Sequence, residues 1–303
     1  MCRWMAWFGQ PAQLSILLFD SPHGIVDQSL HARMGAEPTN GDGFGLGWYD
    51  AHDLPGVYHS VAPAWSDPNL RELAAHVESP LFLAHVRAAI GSPVQATNCH
   101  PFRHGRWLFV HNGYVERFAE LRRDLMLLVR PDLFAAVQGS TDTEVLFHVA
   151  LTLGLEDDPL GAMEQTIGTI EDLAERKRIP EPVQGSFGIS DGETLWAVRY
   201  ASSGRARSLF VSADVDTIRR LHPDNARFSA LGADDRLVVS EPFSDLPGVW
   251  EPVPESTALT VRRGGVCEHS AFAPRRRPTI WDQRARDSSD WLRMAGDKLL
   301  GPD

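Results

Sequence analysis

The chain has 303 residues, 43% of them hydrophobic and 23% charged, with a net charge of −11. That length supports one large domain or two small ones. The acidic balance speaks against a broad basic surface for nucleic acid, and no apolar run reaches the ~20 residues of a membrane span. Three widely spaced cysteines, Cys2, Cys99 and Cys267, with no Cys-x-x-Cys, argue against a disulfide framework or a structural zinc centre. The opening residues lack the pattern of a secretory signal, so a cytoplasmic protein is expected.

In chain order, short β-branched and aromatic runs predict strands over 4–8, 44–49, 81–86, 107–110, 195–200, 209–212 and 237–240. Residues 187–190 and 194–200 predict a hairpin across Asp191-Gly192, a dipeptide that supplies the positive φ of a tight turn. Asp67-Pro68 predicts a capped helix start, with Leu70, Leu73, Ala74 and Val77 on one face. Thr141-Asp142-Thr143-Glu144 reads as a capping box, and 163–176 as a further helix. Strands in groups, with helices between the groups, favour stacked antiparallel sheets over a doubly wound parallel sheet. From about residue 271 the composition turns to Arg, Asp and Ser, which predicts a domain over 1–270 and a tail over 271–303. The basic run Arg275-Arg276-Arg277 reads as a solvated segment of that tail.

Several residues could carry chemistry. Removal of Met1 would leave Cys2 with a thiol and a free α-amino group, whose reference pKa of about 7.7–8.0 makes it a usable base near neutrality. Set against this, a thiol at position 2 can simply pack beside Trp4 and Trp7. Asn112-Gly113, after the predicted strand 107–110, can offer an amide N–H and an unobstructed backbone N–H to an oxyanion, or form an ordinary turn. Arg87, after the strand 81–86, suits capture of a carboxylate or sits as an exposed strand-end charge. Asp142 can pair with an ammonium group or only cap its helix. Cys99-His100 reads as structural, because neighbours in extended chain point apart. The histidines His23, His31, His52, His59, His76 and His85 lack metal-ligand spacing, so neither a metal nor a cofactor is expected.

Taken together, these segments resemble the class II glutamine amidotransferases, and within them the stand-alone amidohydrolases that open Met-Cys-Arg, such as those of the ergothioneine pathway. The resemblance is carried by Met1-Cys2-Arg3-Trp4, the stretch 40–49 with its Asp42-Gly43-Phe44-Gly45, and His85-Val86-Arg87-Ala88-Ala89. It continues with His100-Pro101-Phe102, His111-Asn112-Gly113, Ser140-Thr141-Asp142-Thr143-Glu144 and Val239-Ser240-Glu241-Pro242, spanning roughly 1–245. It implies an α+β four-layer αββα sandwich of two mainly antiparallel sheets, the N-terminal-nucleophile hydrolase fold. It also implies hydrolysis of a γ-glutamyl amide through a thioester on Cys2, with Asn112 and Gly113 as the oxyanion hole. Arg87 would hold the glutamyl α-carboxylate and Asp142 the α-ammonium. Position 90 is Ile, where many glutamine-using relatives carry a substrate-bonding Thr, which leaves room for a γ-glutamyl conjugate. A glutaminase subunit serving an ammonia-accepting synthase, an N-terminal-Cys acyl amidase and an inactive glutamyl-binding protein stay open as alternatives. Leaving-group selection is expected from the loops 52–65 and 156–159.

Overall fold

A computed structural model describes residues 2–35, 38–229 and 231–275. In chain order its strands and helices are β1 (Arg3–Gln13), α1 (Leu14–Leu18), α2 (Ile25–His31), β2 (Phe44–Tyr49), β3 (Gly56–Ser60), α3 (Pro68–His76), β4 (Glu78–Val86), β5 (Phe102–His104) and β6 (Trp107–Val115). Then follow α4 (Phe118–Met126), α5 (Pro131–Phe134), α6 (Asp142–Thr152), α7 (Pro159–Arg176), β7 (Val183–Ser190), β8 (Thr194–Ala201) and β9 (Phe210–Ser212). The rest is α8 (Val215–Leu221), α9 (Ala226–Ser229), β10 (Arg236–Val239), β11 (Trp250–Pro252), β12 (Thr257–Arg262) and β13 (Val266–Ala271).

The strands form two antiparallel sheets. The first has seven in the order β11-β9-β10-β1-β4-β2-β3, the second six in the order β13-β12-β8-β7-β6-β5. Alternation along β1 shows how the layers arise. Trp4, Ala6 and Phe8 point into the layer between the sheets, where they meet Leu108 and Val110 of β6 and Leu259 and Val261 of β12. Met5 and Trp7 point the other way, onto Leu14, Leu17 and Ile25 of the outer helices. The second sheet is covered likewise by α4, α6 and α7 through Leu121, Phe147 and Ile167. Four layers result, helix–sheet–sheet–helix, as the resemblance implies. Burying a side chain such as Leu108 or Phe147 contributes roughly 1.5–3 kcal/mol, and both strand faces are used, so the frame holding the strand ends is rigid.

Each expected strand is present, and the 187–200 hairpin closes with Ser190 opposite Leu195. The Asp191 carboxylate accepts the N–H groups of Glu193 and Thr194, both at 2.9 Å. Helix α7 starts at Pro159, four residues before the expected 163, because Asp158 caps the Gly161 N–H at 3.0 Å. Strands β3, β5, β11, β12 and β13 carry no expectation from sequence: β5 and β11 are only three residues long, and β13 is largely exposed without strong apolar alternation. Strand β13 ends at Ala271, Phe272 is buried, and Arg275 pairs with Glu164 of α7 at 2.7 Å. Residues 272–275 therefore pack toward α7. Residues 276–303, which hold most of the expected tail, lie outside the described residues, as does Met1.

Candidate active site

The two sheets part at the end where β1 begins, β4 and β6 finish and α6 starts. A cavity of about 530 Å³ opens there, with Cys2, Arg87, Gly113 and Asp142 in its lining. Four of the five residues expected to carry chemistry, drawn from four elements, therefore share one cavity. The fifth, Asn112, is buried behind the lining. The loops 52–65 and 156–159, expected to select the leaving group, do not contribute; the walls come from 87–93, 113–119, Arg122 and 140–143.

Cys2 precedes the first residue of β1 and, being two before Trp4, points toward the inter-sheet layer. Its thiol donates to the Ala88 carbonyl at 3.6 Å. Burial pushes the thiol pKa up, against smaller opposing pulls from the Ala88 backbone and the Arg87 charge. The thiol therefore stays protonated at neutral pH unless a neighbouring base takes its proton.

Arg87 continues β4 by one residue and is 3% exposed. Its guanidinium donates to the Ser92 hydroxyl at 2.7 Å and the Pro93 carbonyl at 3.1 Å, both neutral oxygens. Among the described residues no carboxylate lies within ion-pair distance of it. The backbone is clasped from below. Asp42 N–H donates to the Arg87 carbonyl at 2.9 Å, Arg87 N–H donates to the Gly43 carbonyl at 2.8 Å, and the Asp42 carboxylate accepts the Ala89 N–H at 2.8 Å. Gly43 sits at φ +111°, which only glycine adopts cheaply. The stretch 42–45 thus shapes the loop that carries Arg87.

Asn112 and Gly113 lie on β6, opposite Ser186 and Gly185 of β7. The Asn112 side chain is 2% exposed, and its Oδ1 has no hydrogen-bond partner among the described residues. A Cβ at position 113 would overlap the Gln184 carbonyl, so glycine is required for β6 to reach the cavity here. The pair belongs to a strand and makes no turn. Asp142 opens α6, where one carboxylate oxygen accepts the Val115 N–H at 2.7 Å and the other the Thr143 N–H at 2.7 Å. It is held rigidly and also lines the cavity. The capping box is only half made. Thr141 Oγ1 accepts the Glu144 N–H at 3.2 Å, but the Glu144 carboxylate turns to the N–H groups of Gln138 and Gly139.

Under the cavity lie three buried imidazoles. His85 and His100 pack with ring centres 4.1 Å apart and planes tilted by 36°, and His111 Nδ1 meets Thr143 Oγ1 at 2.9 Å. Burial, followed by the Arg87 charge, drives His85 down to about 3; burial likewise holds His100 and His111 below the usual range. They are neutral packing groups at physiological pH and do not reach the thiol as bases. Cys99 is fully buried, its thiol directed at the Ser60 carbonyl at 3.5 Å. Among the described residues no three His, Cys, Asp or Glu side chains are grouped to hold a metal ion, and no helix is long and apolar enough to cross a membrane.

Sequence reasoning missed one buried cluster beside the site. Arg3 Nη1 donates to the Cys2 carbonyl at 2.9 Å, and Arg3 Nε donates to Glu241 at 2.7 Å. The signal was present in the register: Met5 pairs with Val239, so continuing β1 and β10 by two residues sets Arg3 against Glu241.

The arrangement can supply a nucleophile, oxyanion donors, a cation and an anion within one enclosed space. Comparison with known proteins agrees with it. Residues 16–268 match the family described as "Glutamine amidotransferases class-II". The chain is 33% identical to the probable glutamine amidotransferase DUG3 of Saccharomyces cerevisiae, over 89% of this chain and 84% of that protein. It is 30% identical to the gamma-glutamyl-hercynylcysteine sulfoxide hydrolase of Mycolicibacterium smegmatis, over 86% of this chain and 96% of that one. Among solved structures, a glutamine aminotransferase class-II domain protein from Silicibacter pomeroyi superposes with a TM-score of 0.68 at 34% identity, covering 90% of this chain and all of the other. The chain belongs to the class II glutamine amidotransferases.

Proposed function

We propose that this protein hydrolyses the amide of a γ-glutamyl compound through a thioester on Cys2. The observation that carries the reading is the buried Arg87: a guanidinium held by neutral oxygens, opening into the same cavity as the thiol. A charge kept out of water without an internal anion is costly, and a substrate carboxylate would offset that cost on binding. Asp142 supplies the opposite charge across the cavity for an α-ammonium. These two groups fix an α-amino acid end, which presents the γ-carbonyl to Cys2.

The chemistry then follows from Cys2 as the first residue of the mature chain. Its neutral α-amino group takes the thiol proton, and the thiolate adds to the γ-carbonyl carbon. Negative charge forms on the carbonyl oxygen, where the Asn112 amide and Gly113 N–H would meet it. The α-ammonium returns the proton to the departing amine as the C–N bond breaks, leaving the thioester. A water, losing its proton to the α-amino group, then cleaves the thioester and releases glutamate.

The hydrolase named for M. smegmatis acts, by its name, on a γ-glutamyl conjugate. Ile90 favours the same class here: it is 64% exposed at the cavity lip and offers no hydrogen bond to a small amide. The cavity also continues past Gly113 along Tyr114, Phe118 and Arg122, giving a larger leaving group somewhere to lie. A stand-alone hydrolase is therefore favoured over a glutaminase that feeds ammonia to a synthase partner. Three free thiols suit a reducing, cytoplasmic setting. The amidotransferase unit is taken to run to the end of β13 and its 272–275 extension, with the tail following. The test is turnover of γ-glutamyl-p-nitroanilide beside glutamine. Wild-type protein should release glutamate from the anilide more efficiently, and Cys2→Ala should lose about 10⁴-fold or more. Undiminished turnover by Cys2→Ala would end the thioester reading.

A further inference from the structure

The α-amino mechanism makes unusual demands on one residue. Nucleophile and base belong to Cys2, so the main chain at the very start of the protein must be held as firmly as an ordinary catalytic side chain. Chain ends fray unless tied down, and here the ordinary ladder gives out: β10 stops at Val239, so the β10 side of Arg3 is beyond its last residue.

What takes over is a buried polar node. Glu241 is 1% exposed and Arg3 2%. One Glu241 oxygen accepts from Arg3 Nε at 2.7 Å and from the Met34 N–H at 3.0 Å; the other meets His23 Nε2 at 2.6 Å and accepts the Arg33 N–H at 2.8 Å. His23 is braced in turn by Asp27 through Nδ1 at 2.8 Å, and Gln28 donates to the Glu241 carbonyl at 3.1 Å. Burial pushes the Glu241 carboxyl up, but these donors outweigh it and keep the group below its usual range. From this node Arg3 Nη1 reaches the Cys2 carbonyl at 2.9 Å. The adjoining Trp4 N–H donates to Ser240 Oγ at 2.9 Å, locking the next residue to the same segment.

We infer that the Arg3–Glu241 ion pair, braced by His23, is a positioning element of the reaction, anchoring the Cys2 main chain so that its amino group and thiol face the cavity together. The inference rests on Cys2 being the nucleophile and N-terminus. Arg3 and Glu241 touch no substrate; they act through Cys2. The pair is also electrically balanced, and that balance has a consequence a merely structural pair would lack. The other charges facing Cys2 are Arg87 from the end of β4 and Asp142 from α6, with Asp27 of α2 and His23, just before that helix, behind the node. Arg87, Asp142 and Asp27 are unaltered when the pair is changed one member at a time, whereas Glu241→Gln also takes the carboxylate contact from His23.

Glu241→Gln leaves the Arg3 charge uncompensated next to the α-ammonium. That favours the neutral amine, so the rising limb of kcat/KM against pH should move down by roughly half a unit to one unit. Arg3→Gln leaves Glu241 uncompensated, and the limb should move up by a similar amount. The double variant should return the limb to the wild-type position while kcat stays about ten- to a hundred-fold low, because the anchor is gone. Arg3→Lys, which keeps the charge, should hold the wild-type limb with part of the kcat restored.

The experiment is the pH profile for γ-glutamyl-p-nitroanilide on the mature full-length protein, with unfolding midpoints measured on the same samples. Opposite displacements for the two single variants support the inference. Limbs that coincide with wild type, with activity lost only in proportion to folded protein, overturn it. If Arg3→Gln does not fold, Glu241→Gln decides alone, since only a downward shift agrees. Wild-type turnover that survives Cys2→Ala would instead remove the mechanism beneath it, a separate and recognisable result.

Discussion

Two buried arginines flank Cys2, and the protein treats them in opposite ways. Arg3 pairs across β1 and β4 with Val86, the immediate neighbour of Arg87. Arg3 is neutralised inside the fold by Glu241 at 2.7 Å. Among the described residues Arg87, 3% exposed, meets only a hydroxyl and carbonyl oxygens. Burial is nearly the same, so desolvation does not distinguish them; the partner does. A buried cation with its own carboxylate belongs to the architecture, and one without belongs to whatever enters the cavity.

That contrast predicts different failures. Arg3→Met strips the buried Glu241 of its guanidinium partner, leaving it only His23 and two backbone N–H groups, and should cost up to about 3–5 kcal/mol of stability in urea unfolding. Arg87→Met leaves no orphaned carboxylate, so stability should change little or rise. Its cost should fall on kcat/KM, by about 2–5 kcal/mol of transition-state binding. If Arg87→Met unfolds the protein and Arg3→Met does not, the assignment of the two arginines is reversed. Asp142→Asn tests the other end of the substrate. Loss of a charged hydrogen bond of about 1.5–3 kcal/mol should weaken binding of glutamyl substrates roughly ten- to a hundred-fold, read in KM. An acyl amide without an α-ammonium should be indifferent to the change.

The smallest effect concerns the imidazoles beside Arg87. His85 titrates near 3, and His100 and His111 also lie below the unfolded value of about 6.5. Between those limits the unfolded chain binds protons that the folded chain refuses. Stability contributed by neutral burial is therefore full above about 6.5 and is lost as pH falls toward 3. For His85 this amounts to up to about 1.4 kcal/mol per pH unit in that window, and His100 and His111 act in the same direction. Urea midpoints at pH 7 and pH 5 should differ accordingly, and His85→Asn should shrink the difference. Equal midpoints at both pH values would contradict the neutral assignment.

Much of this was legible before any coordinates, and the pattern of what was not is physical. Strand ends announce themselves through short apolar runs, and Arg87 and Asn112-Gly113 follow such runs directly; Asp142 announces itself through its helix cap. Only the fold brings these positions to one end of the sandwich, so single residues stayed ambiguous while their order pointed to a family. Glu241 entered only within the segment Val239-Ser240-Glu241-Pro242, because its partner is 238 residues away and visible only through register. Asp42 likewise became meaningful once its carboxylate was seen to hold the Ala89 N–H. The cavity walls were misassigned to 52–65 and 156–159 because a loop's location follows from sheet order. Sheet order places β3 at the edge of the first sheet, away from Cys2.

The central claim is that Cys2 reacts from within a glutamyl-shaped pocket, and peptide mass spectrometry after incubation with 6-diazo-5-oxo-norleucine tests it most directly. The reagent carries the α-carboxylate and α-ammonium that Arg87 and Asp142 would hold. A single adduct on an N-terminal Cys2, with Met1 absent and labelling abolished in Arg87→Met, is the predicted result. A retained Met1, or labelling that ignores Arg87 and reaches Cys267 as readily, would contradict it.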